Sequence, residues 1–181
     1  MNKRVCIYCG ANSGNNPNIP RQVKHLVRLL IENDFDLVYG GGRTGLMGLI
    51  ADQFLEANKS VIGVRPAKLI ADEDAHEGLT QLLVVKDMHE RKGKMIELSD
   101  AFIALPGGVG TLDEIIDVYT QVKIGFLRKF CGVLTVDDYY QGLEILLKNM
   151  VANGFLRKQD KELLHIENSP AKLLEQLLNF V

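Results

Sequence analysis

Short apolar runs of strand length alternate along this chain with segments of helical period. The runs are continuous in Val, Ile and Leu, which is typical of strands that are buried on both faces. Each crossover between parallel strands needs a connection of about helix length. The sequence therefore predicts an α/β fold, a parallel sheet covered by helices on both faces. The predicted strands are Arg4–Tyr8, Leu37–Tyr39, Val61–Val64, Leu82–Val85, Ala101–Leu105 and Cys131–Thr135.

Helical periodicity marks the segments between the strands. We expect their apolar stripes to face the sheet, and we expect Ser169 to cap a last helix that begins at Pro170. The long stretch from Pro66 to Thr80 has no clear period and is predicted to be a loop over a site. The stripes are Val23, Leu26, Val27 and Leu30; Leu46, Ile50 and Phe54; and Tyr140, Leu143, Leu146 and Leu147.

Composition limits the class of protein. A chain of 181 residues, 46% apolar, predicts one domain over residues 1–181. The net charge of −2 gives no basic field for nucleic acid or a membrane surface. No apolar run reaches the length of a signal-peptide core or a transmembrane helix, so we expect a cytoplasmic protein. Strand alternation should turn Cys6 and Cys9 to opposite faces, which argues against a metal or redox pair.

Three glycine clusters follow predicted strands. They therefore lie at the carboxyl edge of the sheet, where ligands bind in such folds. Glycine lets the backbone approach a ligand closely, and a helix that begins there offers free N–H groups to phosphate. Together the clusters predict an anionic, nucleotide-like ligand. They are Gly10 and Gly14; Gly40, Gly41, Gly42, Gly45 and Gly48; and Gly107, Gly108 and Gly110.

The type of nucleotide is less constrained. The second cluster satisfies G-x-G-x-x-G between a strand and a helix, but no acidic residue ends the next strand, as a dinucleotide site requires. Arg65 there suits a 2′-phosphate, so an NADP oxidoreductase is one alternative. An ATPase P-loop is absent from the sequence.

Arg91 is a candidate anion-binding residue. At helical spacing it shares a stripe with Met88, Met95 and Leu98, so it lies among inward-facing apolar residues. A buried guanidinium needs an anionic partner, either a structural carboxylate or a bound phosphate. Both interpretations are open from the sequence.

Glu114 is the second candidate. It lies at the start of the helix after the third glycine cluster, beside the expected buried stripe of Thr111, Ile115 and Val118. A carboxylate beside a phosphate loop repels the ligand, unless positive charge develops nearby. Cleavage of a ribosyl N-glycosidic bond develops such charge at C1′, and a carboxylate stabilises it or activates water.

These residues carry a resemblance to a known family. The sequence P-G-G-V-G-T-L-D-E at 106–114 resembles the P-G-G-x-G-T-x-x-E motif of the LOG family of phosphoribohydrolases, often labelled possible lysine decarboxylases. Tyr39–Gly48 matches Y-G-G-G-x-x-G-L-M-G, Met88–Lys92 matches M-H-x-R-K, and Val136–Tyr140 matches V-D-x-Y-Y. The resemblance covers roughly residues 3–157.

The resemblance implies a Rossmann-like, doubly wound fold. It also implies hydrolysis of cytokinin riboside 5′-monophosphates, and possibly AMP, to free base and ribose 5-phosphate. Arg91 and Glu114 are the implied catalytic residues. No metal or cofactor is expected, and a homodimer or higher homo-oligomer is. The expected phosphate- and substrate-binding residues are Gly10, Asn12, Ser13, Gly41, Gly42, Lys92, Gly107, Gly108, Val109, Gly110 and Thr111.

The chain departs from the family pattern in two places. Ala11 and Asn12 stand where C-G-S-S is common, and 120–125 reads T-Q-V-K-I-G instead of T-W-A-Q-L-G. These differences leave the preferred base and the assembly open. Molybdenum cofactor carriers resemble the same fold, so a non-catalytic nucleotide or cofactor carrier is the alternative function. No lysine is distinguished as a Schiff-base residue, so the decarboxylase label has no support in the sequence.

Overall fold

The computed structural model describes residues 2–72 and 75–180, with the backbone alone for 70–72. Within this part of the chain, strands and helices alternate in the predicted manner. The strands are β1 (Arg4–Tyr8), β2 (Asp36–Tyr39), β3 (Val61–Pro66), β4 (Gln81–Val85), β5 (Ala101–Ala104), β6 (Phe130–Leu134) and β7 (His165–Glu167). The helices are α1 (Asn18–Glu32), α2 (Gly45–Glu56), α3 (Ala67–Asp72), α4 (Met88–Leu98), α5 (Val109–Lys123), α6 (Gln141–Ala152), α7 (Lys158–Lys161) and α8 (Pro170–Phe180).

The strands form one parallel sheet in the order β4-β3-β2-β1-β5-β6-β7. The chain runs outward from β1 in one direction and then returns to β5 to run outward in the other. This doubly wound topology confirms the predicted fold class. The strand order reverses between β1 and β5, so the carboxyl ends of these strands flank the point where such sheets bind ligands.

Apolar side chains cover the sheet on both faces. One core contains the buried stripes of α1, α2 and α8, and the other contains residues of α4, α5 and α6. Cys6 belongs to the second core, whereas Cys9 packs against the first, so the prediction that they face opposite ways is confirmed. Both thiols are free. Ser169 also caps α8 as predicted, its Oγ accepting from the N–H of Lys172 at 3.4 Å.

Two local predictions are wrong. The stretch Pro66–Thr80 is not irregular throughout, because α3 occupies Ala67–Asp72; positions 73 and 74 lie outside the described residues. Leu146 does not face the sheet and is 50% exposed, whereas its neighbour Leu147 is buried. A helix of 3.6 residues per turn cannot direct both neighbours to one narrow face.

The described helices include none with both the length and the apolar character that crossing a membrane requires.

Candidate functional site

A cleft of about 550 Å³ opens at the carboxyl ends of β1, β2 and β5. Its walls come from the loops that follow these strands and from side chains of α4 and α5. Arg91 and Glu114 both line it. So do most of the predicted binding residues, which are Gly10, Asn12, Ser13, Gly107, Gly108, Val109, Gly110 and Thr111.

Three predicted binding residues do not line the cleft: Gly41, Gly42 and Lys92. Gly41 has a φ of +77° and packs closely against β3 and β4, where a Cβ would lie 3.5 Å from Gly63 and 3.3 Å from Leu82. The Gly42 carbonyl accepts a hydrogen bond from the Tyr39 hydroxyl at 3.1 Å. The loop after β2 instead contributes Gly40 and residues of α2 to the wall.

The N-terminus of α5 faces the cleft without a side-chain cap. Gly108 occupies the cap position, and the first backbone bond of the helix runs from the N–H of Leu112 to its carbonyl, at 3.2 Å. The N–H groups of the first turn, Val109 to Thr111, therefore precede any intrahelical partner. Together with the positive end of the helix dipole, they form a typical site for an anion.

Two adjacent glycines at this terminus have different reasons to be glycine. A Cβ on Gly107 would collide with the Thr111 hydroxyl and would lie 2.8 Å from the backbone nitrogen of Gly10. A Cβ on Gly108 would meet nothing within 4 Å. Gly107 thus permits two loops to pack closely, whereas Gly108 borders open space in the cleft.

Arg91 and Glu114 form an ion pair inside the cleft. Nη1 of Arg91 lies 2.9 Å from Oε1 of Glu114, and their side chains are 13% and 8% exposed. The N–H groups do not point at that oxygen, so Oε1 accepts no hydrogen bond from any described residue. The pair is therefore held by electrostatic attraction, with Oε1 itself buried against the guanidinium. Helix α5 begins at Val109, earlier than expected, so Glu114 lies in its second turn instead of at its start.

The Arg91 side chain is held along its length. Its Nε donates to the Val64 carbonyl at 3.1 Å, and Nη1 lies 3.8 Å from the sulfur of Met88. Nη2 lies so close to Gly40 that any Cβ at that position would collide with it. These contacts fix the guanidinium against the ends of β2 and β3.

Burial and charge act on Glu114 in opposite directions. Burial raises the pKa of its carboxyl group, and the nearby Arg91 guanidinium lowers it. Burial prevails, so the pKa lies above the ordinary value of 4.5. A carboxyl group with a raised pKa in a cleft is typical of acid–base catalysis.

Lys92 points away from the cleft to a neighbouring group of acids. Its Nζ lies 3.2 Å from Asp113 and 3.4 Å from Asp117. Partial burial lowers the pKa of Lys92, but the two carboxylates together raise it by more, so the pKa lies above its ordinary value. The structure therefore does not bring this predicted residue to the ligand site.

Several wall residues were not predicted. One wall is apolar and consists of side chains from three helices. Tyr139, from the turn after β6, also lines the cleft; the V-D-x-Y-Y pattern was the only signal for it. Arg65, considered for a 2′-phosphate, is buried at the cleft and donates to the Leu69 carbonyl at 2.9 Å. The apolar wall residues are Ile19, Leu46, Met47 and Leu69.

The described residues offer no recognisable donor set for metal or pyridoxal chemistry. The described residues contain no group of three or more His, Cys, Asp or Glu side chains able to hold a metal ion. Among the described residues that line the cleft there is no lysine, the residue that forms a Schiff base with pyridoxal.

Solved structures share this architecture. The molybdenum cofactor binding protein of Rippkaea orientalis superposes with a TM-score of 0.73 over 99% of this chain and 97% of its own. The molybdenum cofactor carrier protein of Chlamydomonas reinhardtii gives 0.71 over 99% of each chain. The sequence identities are 18% and 17%, so these likenesses show the fold alone.

Sequence comparison gives closer relatives. A family model described as "Possible lysine decarboxylase" matches residues 47–177. The cytokinin riboside 5′-monophosphate phosphoribohydrolase LOG7 of Arabidopsis thaliana is 39% identical, over 97% of this chain and 81% of its own. The probable enzyme of the same description, LOG4 of Oryza sativa subsp. japonica, is 38% identical over 97% and 76%. With these matches across nearly its whole length, the chain belongs to the LOG family of phosphoribohydrolases.

Proposed function

We propose that the protein hydrolyses the N-glycosidic bond of nucleoside 5′-monophosphates, releasing the free base and ribose 5-phosphate. Cytokinin riboside 5′-monophosphates are the proposed substrates, with AMP as a second one. The observation that carries the proposal is the Arg91–Glu114 pair, which faces the cleft beside an uncapped helix N-terminus. Family membership supports it, because curated relatives are named as enzymes of this activity.

The 5′-phosphate binds at the N-terminus of α5. The N–H groups of Gly108 to Thr111 supply hydrogen bonds, and the helix dipole favours the negative charge. The open space at Gly108 leaves room for the phosphate oxygens. Gly10, Asn12 and Ser13 complete this part of the site from the loop after β1.

Glu114 acts at C1′ of the ribose. Water attacks C1′ while the bond from C1′ to the base breaks, and its electron pair goes to the base, which takes up a proton. The transition state resembles an oxocarbenium ion, whose charge the Glu114 carboxylate stabilises as it accepts a proton from the water. Glu114 is suited to this role because it lines the cleft and its carboxyl group has a raised pKa.

Arg91 orients both Glu114 and the substrate. Its contacts with Val64 and Met88 fix the guanidinium. From there its charge favours the ionised form of Glu114 against the effect of burial, and it binds acceptor oxygens of the substrate. The base lies against the apolar wall, where an apolar N6 substituent is removed from water.

The alternative function is non-catalytic binding of a nucleotide or molybdenum cofactor. Its support is the likeness to carrier proteins, which extends to the fold alone. A carrier needs the anion site at α5 but has no use for a carboxylate with a raised pKa beside a glycosidic bond.

Base release tests the proposal. AMP and N6-isopentenyl-AMP are incubated in parallel with wild-type protein and with Glu114→Gln, and the free base is measured by liquid chromatography. We expect release by the wild type and a loss of about 100- to 10,000-fold in the variant, the usual range for one acid–base group. The ratio of the two wild-type rates gives the preferred base.

Asp113→Asn is the matched control, because it makes the same chemical change one residue earlier on the solvent side of α5. We expect its rate to stay within about 3-fold of the wild type, as for most surface substitutions. Binding of both nucleotides without any release of base would contradict the hydrolase and favour the carrier.

We also propose that the chain forms a homodimer or a higher homo-oligomer. Ile124 and Phe126, at the C-terminal end of α5, are 52% and 79% exposed. Neighbouring exposed apolar side chains contribute to apolar patches, which mark contact surfaces when they are extensive. Light scattering gives the mass in solution, and a monomer at working concentration would contradict this proposal.

A further inference from the structure

Two adjacent tyrosines bind the loop that leads into α5. The Tyr140 hydroxyl donates to the carbonyl of Leu105 at 2.8 Å, and the Tyr139 hydroxyl donates to the carbonyl of Gly107 at 2.6 Å. The sequence separations are 35 and 32 residues, so these are tertiary contacts across the carboxyl edge of the sheet. They belong to the V-D-x-Y-Y stretch, to which the proposed reaction gives no role.

The bond from Tyr139 fixes the direction of an N–H group. In a planar trans peptide the C=O and the following N–H point in opposite directions. Holding the Gly107 carbonyl therefore holds the N–H of Gly108 on the opposite side. The Gly107–Gly108 unit carries no Cβ on either side, so its own backbone preferences are weak and its orientation depends on such hydrogen bonds and on the packing of the loop.

The preceding peptide is held in the same way by a different donor. The N–H of Gly10 donates to the Pro106 carbonyl at 3.2 Å, which fixes the N–H of Gly107. The carbonyl bound by Tyr140 belongs to Leu105, and the next nitrogen is that of Pro106, which has no hydrogen. Of the two tyrosines, only Tyr139 thus determines where an N–H of the loop points.

The turn that carries Tyr139 is itself fixed. Asp137 and Asp138 have φ values of 48° and 60°, a left-handed conformation that is unfavourable for residues other than glycine. The Asp137 carboxylate accepts from the side-chain amides of Asn16 and Asn18, both at 2.8 Å. The turn is therefore bonded to both loops that border the anion site.

The ring of Tyr139 completes this arrangement. It packs edge-on against Tyr140, with centroids 4.9 Å apart and an interplanar angle of 88°. It is 49% exposed and lines the cleft. Its position depends on the turn and on its neighbour, so its hydroxyl acts as a fixed donor.

We propose that Tyr139 is a positioning residue for the 5′-phosphate: its hydroxyl holds the Gly107–Gly108 peptide with the N–H of Gly108 directed at the phosphate. This inference rests on the proposed function, because it assigns a phosphate ester to that site. Tyr139 contacts the loop and takes no part in bond cleavage.

Tyr139→Phe tests the inference, because it removes the hydroxyl and keeps the ring. We expect the KM for AMP to rise about 3- to 10-fold, the range for one net hydrogen bond, while kcat stays within about 2-fold. Binding of ribose 5-phosphate, measured by calorimetry, should weaken by the same factor. The apparent affinity for free adenine, measured as inhibition, should not change, because adenine does not reach the phosphate loop.

Tyr140→Phe is the matched control. It makes the same change at the next residue but leaves the buried Leu105 carbonyl without its donor, so we expect a lower Tm. Its affinity for ribose 5-phosphate should equal that of the wild type, because no loop N–H depends on it. Equal weakening in both variants, or unchanged affinity in Tyr139→Phe, would overturn the inference.

Direct binding separates this inference from the proposed function. Weaker binding of ribose 5-phosphate by Tyr139→Phe supports the inference even if the wild type releases no base from any nucleotide. Normal base release with unchanged binding in Tyr139→Phe contradicts the inference and leaves the hydrolase intact. A wild type that binds no ribose 5-phosphate would overturn the inference by itself.

Discussion

Two groups of charges join α4 to α5, and they differ in their surroundings. The inner pair is Arg91 and Glu114, whose side chains are 13% and 8% exposed. The outer cluster is Lys92 with Asp113 and Asp117, whose side chains are 21%, 58% and 34% exposed. Each helix supplies sequence neighbours to both groups, so similar residues occupy different environments one position apart.

Burial, rather than residue type, separates a reactive carboxyl group from a structural one in these two groups. Burial raises the pKa of Glu114 in the inner pair. In the outer cluster, the carboxylates of Asp113 and Asp117 raise the pKa of Lys92. The lysine therefore stays a cation beside carboxylates that stay anions.

Replacing the two cations should separate the groups most strongly. Arg91→Ala removes the guanidinium that orients the site, so kcat/KM for AMP should fall about 100- to 1,000-fold, as for other pre-organised charges. Lys92→Ala should stay within about 3-fold, because Lys92 does not line the cleft. Steady-state kinetics of both variants measure the difference.

Arg91→Lys keeps the charge and tests the geometry. A lysine has no planar guanidinium with two parallel N–H donors, so Arg91→Lys should not recover the activity that is lost in Arg91→Ala. Equal losses in Arg91→Ala and Lys92→Ala would mean that the outer cluster belongs to the active site.

The pH dependence should report the inner pair. Glu114 acts as a carboxylate, so kcat/KM should fall as the pH drops through its pKa. Because that pKa is raised, the midpoint of the fall should lie at a pH above 4.5. A pH–rate profile measured well within the stable range of the protein tests this. An acid limb centred below pH 4.5 would contradict the burial of an essential carboxyl group.

Stability should change with pH in the opposite sense. Folding raises the pKa of Glu114, so the folded protein binds that proton more tightly than the unfolded chain does. The stabilising contribution is complete below pH 4.5 and is lost as the pH rises through the raised pKa. Glu114→Gln has no such contribution to lose. Its free energy of unfolding, measured by denaturant and compared with that of the wild type, should therefore increase as the pH rises over that range.

The outer cluster should give the smallest effect. Asp117→Asn removes one of two acids around Lys92 and should lower the free energy of unfolding by about 1 kcal/mol or less, as for partly exposed ion pairs. The difference should shrink at high salt, where exposed charges are screened. A salt-independent loss of several kcal/mol would show that this cluster is as isolated from solvent as the inner pair.

Much of the fold could be predicted because apolar runs mark buried parallel strands. All six predicted strands exist, with ends displaced by no more than two residues. The strand at His165–Glu167 was missed, since its three half-buried residues form no apolar run and pair with β6 alone. The helix at Ala67–Asp72 was missed for a related reason, because six residues are too few for a clear period.

The candidate site also has residues that the sequence could predict and residues that it could not. Periodicity alone directed Arg91 and Glu114 inward, and the structure pairs them across two helices. Lys92 was predicted to bind the ligand and Tyr139 was not predicted, because their positions depend on contacts 21 and 32 residues away. No local pattern distinguishes a lysine that meets a ligand from one that meets two acids.

The fixed side chain of Arg91 affects the thermodynamics of ligand binding. Immobilising a long, flexible side chain costs up to about 2 kcal/mol in conformational entropy. Val64, Met88, Glu114 and the bare backbone at Gly40 already restrict Arg91, so this cost falls on folding and not on ligand association. A methyl group at position 40 would displace the guanidinium and transfer that cost back to the binding step.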